Sequence, residues 1–102
     1  MSGWLPITYR DFYDIPHAIV VEFDGGLYFL DSPFDDAIDD YRPEFTVYRL
    51  PSELRTQLAM MSWVDLQHHG EAIGAVPTDD VQFDKTKRQA INSDILAKIK
   101  GG

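Results

Sequence analysis

The strongest constraint on the fold of this chain lies between Ala18 and Leu50, where three largely apolar runs are separated by two polar connections. Residues 18–23 and 27–31 flank the tripeptide Asp24-Gly25-Gly26, and residues 45–50 follow after an acidic connector. An Asp-Gly step between two apolar runs is a strong short-range signal for a β-hairpin. The pattern therefore predicts that Ala18–Phe23 and Leu27–Asp31 pair antiparallel, with Phe45–Leu50 as a third strand of the same sheet.

The register of this hairpin depends on the length of its loop. A three-residue loop pairs Phe23 with Leu27, whereas a two-residue loop, Asp24-Gly25, pairs Phe23 with Gly26. We favour the three-residue loop because it groups apolar side chains and gives Gly26 the left-handed conformation of a bulge. This register predicts one shared buried face, formed by Val21, Phe23, Leu27 and Phe29.

Further strands are predicted on both sides of the hairpin. Residues 4–9 indicate an edge or irregular strand, because Pro6 cannot donate a hydrogen bond to a neighbouring strand. Residues 10–17 mix aromatic, acidic and proline residues, which favours a loop. Residues 72–76 and 80–83 are candidates for two short strands around Pro77.

Two helices are predicted in the remaining sequence. Ser52 is a suitable N-cap for the first, whose apolar residues recur at helical spacing, and Gly70 is a suitable stop. Asp84 can cap the second, which would carry an apolar stripe at its C-terminal end. The predicted core positions are Leu54, Leu58, Met61 and Val64 in the first helix, and Ile91, Ile95 and Ile99, with Leu96 beside them, in the second.

The segment from Gly74 to Val81 resembles the Gly-x-x-Pro-x-x-x-Val end of SH3 domains. The resemblance covers eight residues, and Asp80 stands where those domains carry an aromatic residue. It implies a small, strongly bent sheet and transfers no peptide-binding residues to this chain. The predicted fold is a single α+β domain over residues 1–102, with an antiparallel sheet of four to five strands and two helices. A half-open, SH3-like barrel is one form that such a sheet could take.

Charge and composition exclude several classes of function. Residues 1–84 carry 16 acidic and 4 basic side chains, whereas residues 85–102 carry 5 basic and 1 acidic. An acidic body repels a phosphate backbone, so we expect no nucleic-acid partner. The chain has no cysteine, which rules out disulfides, thiolate zinc sites and cysteine nucleophiles. Since neither a membrane-length apolar run nor a signal-peptide pattern is visible, we expect a cytoplasmic protein without a membrane partner.

The acidic connector is the first candidate for a functional site. Six carboxylates fall within fourteen residues: Asp31, Asp35, Asp36, Asp39, Asp40 and Glu44. The connector lacks the Asp-x-Asp-x-Asp-Gly spacing and the glycine of calcium loops, so we predict no metal site. Phe34, Ile38 and Tyr41 are expected to pack beneath it and hold its carboxylates as a fixed surface. The predicted interaction surface comprises Asp35, Asp36, Asp39, Asp40 and Tyr41, joined by the tyrosines Tyr13, Tyr28 and Tyr48.

No other pattern in the chain carries recognisable chemistry. His68 and His69 are adjacent, so on a helix they point in different directions and cannot chelate one metal ion. No nucleophile motif, phosphate loop or metalloprotease motif occurs, and we predict no catalytic residue and no cofactor. The terminal Gly101-Gly102 resembles the tail that ubiquitin-like proteins and sulfur carriers present to activating enzymes, although there the tail follows a strand.

Three functions remain open, in a definite order. We first predict a small acidic interaction module, of the adaptor or immunity-protein kind, that binds a protein with a basic surface. The alternative is a ubiquitin-like or carrier protein that acts through Gly101-Gly102. An enzyme is third, with Asp35, Asp36 and His17 as its candidate groups. The sequence does not define an oligomeric state.

Overall fold

A computed structural model of the protein describes residues 4–13, 15–23, 25–61, 63–81, 90–92 and 96. For residues 10–13, 15, 16, 59, 64 and 92 it describes the backbone alone. Within these ranges the chain forms a six-stranded antiparallel sheet and a separate two-stranded hairpin. No helix of the described residues is long and apolar enough to cross a lipid bilayer.

The strands follow one another with few helical interruptions. The strands are β1 Trp4–Tyr13, β2 Ile15–Phe23, β3 Gly26–Asp31, β4 Phe34–Asp35, β5 Asp40–Tyr41, β6 Glu44–Leu50, β7 Glu71–Pro77 and β8 Ala90–Asn92. Their order in the large sheet is β7-β6-β3-β2-β1-β8, and β4 pairs with β5. The helical segments are the 3₁₀ turns Ser52–Thr56, Leu58–Met60, Trp63–Asp65 and Thr78–Asp80, and the α-helix α1 Leu66–His69.

The predicted hairpin and third strand are confirmed, but the predicted register is wrong. Phe23 lies opposite Gly26 and Val21 lies opposite Tyr28, so the loop has two residues and Gly25 adopts a φ of 79°. A Cβ at Gly26 would lie 3.0 Å from the ring of Tyr28, so a larger residue at this strand position would require that buried ring to shift. Val21 and Phe23 therefore lie on the opposite face of the sheet from Leu27 and Phe29.

Both faces of the sheet are buried, which is why grouping residues on one face gave the wrong register. Each face carries one apolar cluster, and the segment 52–69 covers the second face. The buried first-face cluster is Ile19, Val21, Tyr28, Leu30, Phe45, Val47, Val76, Val81, Ile91 and Leu96. The buried second-face cluster is Ala18, Val20, Leu27, Phe29, Leu50, Leu54, Trp63 and Leu66.

The first strand is longer and more central than the sequence predicts. β1 pairs with β2 as far as Tyr13, so residues 10–13 and 15–17 are strand rather than loop. Its N-terminal part pairs with β8, where Pro6 lies opposite Ala90, so β1 is not an edge strand. The aromatic residues of this segment favour extended backbone more strongly than its acids and proline oppose it.

The predicted helix after Ser52 is wrong as a continuous element. The chain forms successive 3₁₀ turns, Ser52 provides no side-chain cap, and Met61 is extended at φ −90° and ψ 148°. This break lets Leu54, Trp63 and Leu66 all reach the second face, although they do not share one helical stripe. Gly70 does follow α1, but its backbone is extended, and a Cβ there would lie 2.9 Å from the side chains of β6.

The C-terminal part also differs from its predicted form. Ile91 lies in strand β8 opposite Leu5, and not in the apolar stripe of a helix. Thr78–Asp80 is a 3₁₀ turn, so Asp80 does not begin a strand. Asp84, Ile95 and Ile99 lie outside the described residues, whereas Leu96 is buried in the first-face cluster. Among the described residues, α1 is the one α-helical element with a start and an end. The predicted pair of helices is therefore not supported.

Truncation of Leu66 should destabilise the protein more than truncation of Leu58. Leu66 is completely buried on the second face, whereas Leu58 is half-buried at its margin. We expect Leu66→Ala to lower the free energy of unfolding by about 2–5 kcal/mol. Leu58→Ala should cost less than about 2 kcal/mol because less apolar surface leaves the core. Urea unfolding followed by circular dichroism measures both, and equal losses would contradict this packing.

Candidate functional site

The acidic connector folds into a small hairpin that projects from the end of β3. We call residues 31–44 the acidic hairpin; Phe34 lies opposite Tyr41, and Asp35 lies opposite Asp40. The Asp35 side chain accepts a hydrogen bond from the Ala37 N–H at 2.9 Å, and its carbonyl accepts one from the Ile38 N–H at 3.2 Å. The four residues between the strands thus form an ordered turn.

Ser32 anchors this hairpin to the sheet. It is completely buried, and its N–H donates to the His17 carbonyl at 2.8 Å. Its hydroxyl donates to the Arg42 carbonyl at 2.7 Å and lies 3.4 Å from Nδ1 of His17. One side chain thus joins β2 to both ends of the hairpin. No local sequence pattern indicates this role, because His17, Ser32 and Arg42 are distant from one another in sequence.

The stacked rings of His17 and Tyr41 support the hairpin from below. The imidazole of His17 stacks on the ring of Tyr41, with centroids 3.6 Å apart and planes 8° from parallel. Phe34 meets the same tyrosine edge-on, with centroids 5.4 Å apart. His17 is buried and Tyr41 half-buried, so Tyr41 packs beneath the hairpin as predicted.

Phe34 and Ile38 do not pack beneath the hairpin, contrary to the sequence prediction. Their exposed fractions are 51% and 54%. The position under the hairpin is occupied by Tyr41 on His17, and the four-residue turn leaves Ile38 outside. Two large apolar side chains therefore stand in solvent among the carboxylates.

The carboxylates of the hairpin are not equivalent. Asp36, Asp39 and Asp40 are exposed, and Asp39 adopts a φ of 53° in the turn. Asp35 is half-buried and forms an ion pair with Nε of Arg42 at 3.5 Å. This exposed pair contributes little to stability. It does offset one negative charge of the hairpin.

The predicted tyrosines do not join the acids in one patch. Tyr28 is 2% exposed in the first-face cluster, so its assignment to the surface is wrong. Its strand is buried on both sides, which the alternation of its sequence did not reveal. Tyr48 is half-buried and stacks near Phe29, with centroids 5.9 Å apart. The backbone of Tyr13 ends β1, and its side chain lies outside the described part of the structure.

An open cleft of about 470 Å³ separates the hairpin from the second face of the sheet. Tyr48 lines this cleft together with Asp35 and Asp36 of the hairpin, so a predicted surface tyrosine and two predicted surface acids share one concavity. The residues around it include Phe34, Asp36, Arg42, Thr46, Tyr48 and Gln67. A long cationic side chain of a partner could place its stem on the aromatic rings and its charge near the carboxylates.

The other candidate groups lie apart from this surface. Among the residues that the structure describes, no three His, Asp or Glu side chains are arranged to hold a metal ion. His68 and His69 are exposed at the end of α1. The structure places Asp35 against Arg42 and His17 beneath Tyr41. Gly101-Gly102 lies outside the described residues, so the carrier alternative stays a prediction.

Comparisons with protein-family models, curated proteins and solved structures found no match to this chain. Its function must therefore be inferred from the acidic hairpin itself.

Loss of the Ser32 hydroxyl should loosen the hairpin as well as destabilise the protein. Ser32→Ala removes a donor from the Arg42 carbonyl and should cost about 1–3 kcal/mol of unfolding free energy. Hydrogen exchange at the Arg42 amide, which donates to the Pro33 carbonyl, should become faster. Chemical denaturation and amide exchange measured by NMR test both effects.

Thr56→Val is the matched control for Ser32→Ala. The Thr56 hydroxyl makes the same kind of bond, to the Glu53 carbonyl at 3.1 Å, but in an exposed position. Its loss should change stability by less than about 0.5 kcal/mol. If the two variants behaved alike, Ser32 would not be the anchor of the hairpin.

Proposed function

We propose that this protein is a small acidic interaction module, of the adaptor or immunity-protein kind, whose acidic hairpin binds a protein partner. The expected partner surface is basic and contains an apolar pocket. The proposal places the module in the cytoplasm, in keeping with its lack of cysteine. No catalytic group or cofactor is needed for this function.

The observation that carries the proposal is the exposure of Phe34 and Ile38. Covering an exposed apolar side chain with a partner surface lowers the free energy of the complex. Large apolar side chains of this kind often lie at the centre of a protein interface. Asp36, Asp39 and Asp40 are exposed in the same short hairpin and would supply the charged rim of such a contact. An apolar centre with a polar rim is the usual anatomy of a protein interface.

The anchoring of the hairpin supports the same proposal. A flexible loop must lose conformational entropy when it binds, whereas a preformed surface avoids much of that cost. Ser32 and the stack of Tyr41 on His17 hold the base of the hairpin, and Asp35 orders its turn. The exposed side chains are therefore presented from a fixed backbone.

A photoreactive residue at position 38 should capture the partner. Ile38 stands at the tip of the hairpin, so cross-linking in cells should give one main product. We expect the purified partner to bind Phe34→Ser/Ile38→Ser at least about 2 kcal/mol more weakly than the unchanged protein, as measured by calorimetry. High salt should slow association more than it speeds dissociation, because the carboxylates steer the encounter.

Met60 is the control position for this experiment. It is 92% exposed in the segment 52–69 that covers the second face, outside the hairpin, so it tests whether any exposed apolar side chain gives the same result. Cross-linking from position 60 should give no partner product, and Met60→Ser should leave the affinity unchanged. Equal capture from positions 38 and 60 would contradict a binding role for the hairpin.

Divalent cations provide a second test of the interaction proposal. The hairpin lacks the spacing of a calcium loop, and Asp35 is already paired with Arg42. We expect calorimetric titration with calcium or magnesium to show no micromolar binding. Clear micromolar binding that disappears in Asp35→Asn/Asp39→Asn would replace the interaction role with a metal-dependent one.

A further inference from the structure

The strand β7 forms an edge of the large sheet. It pairs with β6 on one side, and no strand of the described residues lies against its other side. Six of its seven residues are exposed; Val76 is the buried one. The outer backbone groups of an edge strand can pair with another extended chain.

The register shows which backbone groups of β7 point outward. Thr78 donates its N–H to the Pro43 carbonyl at 2.9 Å, which marks this opposite pair as hydrogen-bonded. In an antiparallel ladder, hydrogen-bonded and non-hydrogen-bonded pairs alternate. Counting back along β7, Val76 opposite Phe45 is again hydrogen-bonded, whereas Ala75 opposite Thr46 is not. The N–H and C=O of Ala75 therefore point away from β6.

A bulge and Pro77 limit the part of β7 that another strand can reach. Proteins protect exposed edges with lysine, proline, charged side chains or bulges. β7 has one irregularity, where Val47 lies opposite Gly74 but Tyr48 lies opposite Ala72, and Ile73 at this bulge is 37% exposed. Between the bulge and Pro77 the ladder is regular over Gly74–Val76, and its exposed residues, Gly74 and Ala75, are small, so another backbone can approach closely there.

The charges around β7 select between two kinds of added strand. Glu71, at the start of the strand, lies opposite Arg49, whereas Asp79 and Asp80 follow its end and Glu44 lies opposite Pro77. The negative charge is therefore concentrated at the C-terminal end of β7. A second copy of this chain carries the same net charge of −8 and is repelled overall. An extended segment with basic residues at its ends would meet the opposite charge at the C-terminal end of β7.

We infer that the β7 edge binds an extended, basic-ended peptide segment of a partner protein as an additional strand. Main-chain hydrogen bonds to Ala75 provide the affinity, and the flanking acids select the charge of the segment. This site is distinct from the acidic hairpin and does not depend on the function proposed for it. The two lie close enough for one partner to reach both, because Thr46, opposite Ala75, also lines the cleft beside the hairpin.

A designed peptide tests this inference on the unchanged protein. The probe is Lys-Lys-Thr-Val-Thr-Val-Thr-Lys-Lys, and the comparison peptide has Glu in place of every Lys. We expect the basic peptide to bind and to slow hydrogen exchange at the Ala75 amide, as followed by NMR. The acidic peptide should bind at least about tenfold more weakly, because it meets like charge at the C-terminal end of β7. Equal binding of the two peptides, or no binding of the basic one, would overturn the inference.

N-methylated peptides test the strand pairing without altering the protein. One version of the basic peptide carries methyl groups on its valine amides and the other on its threonine amides. Because alternate amides face β7, one version should lose about tenfold or more in affinity and the other should bind like the parent. Loss in both versions or in neither would contradict addition of a strand.

A pair of variants then locates the site on β7. Ala75→Pro removes the outward N–H and should abolish the exchange effect and weaken peptide binding about tenfold, whereas Ala75→Ser keeps the N–H and should bind normally. Thermal unfolding of both variants reports on the fold. Unchanged binding by a folded Ala75→Pro variant would overturn the inference. So would a concentration-dependent dimer, seen by analytical ultracentrifugation, that this variant abolishes, because the occupant would then be a second copy.

Discussion

The burial of β3 on both of its faces is the constraint on which the rest of the structure depends. Tyr28 and Leu30 belong to the first-face cluster, and Leu27 and Phe29 belong to the second. A strand that is apolar on both sides needs cover on both sides. The 3₁₀ turns and α1 cover the second face, and Val81 and Leu96 pack on the first. The need to cover both faces of the central strands therefore explains the positions of the short helical elements.

The acidic hairpin gains its order from the same central strands. It begins where β3 ends, and Ser32 ties it to His17 of the neighbouring strand. Phe34 and Ile38 remain exposed because His17 and Tyr41 already fill the space below. The structure therefore combines a well-anchored base with an apolar, acidic tip. This combination, more than the number of carboxylates, favours an interaction role.

The two proposed contact regions, the hairpin and the β7 edge, differ in their chemistry. The hairpin presents side chains, two apolar and several acidic, whereas β7 presents backbone groups beside an acidic C-terminal end. The two regions meet where the Thr78 N–H and hydroxyl both donate to the Pro43 carbonyl, at 2.9 and 3.1 Å. A partner that used both regions would gain specificity from the first and strand pairing from the second.

Local sequence patterns determined the existence of the central strands. Asp24-Gly25 between apolar runs, the alternation of Phe45–Leu50 and the apolar residues 72–76 each predicted a strand that the structure contains. The concentration of acids in one connector, and the lack of cysteine, were likewise visible without coordinates. These features depend on neighbouring residues, whose preferences act over a few positions along the chain.

Tertiary contacts decided the register, the helical segments and the form of the candidate site. Both hairpin registers bury apolar side chains, so the choice between them depended on cover for both faces and on the ring of Tyr28 over Gly26. The spacing of Leu54, Leu58 and Met61 suited a helix, yet packing on the second face favoured separate turns. Ser32 meets His17 and Arg42 only in the folded chain. Contacts between residues distant in sequence leave no local pattern, because their free energy exists only when the elements that carry them have packed.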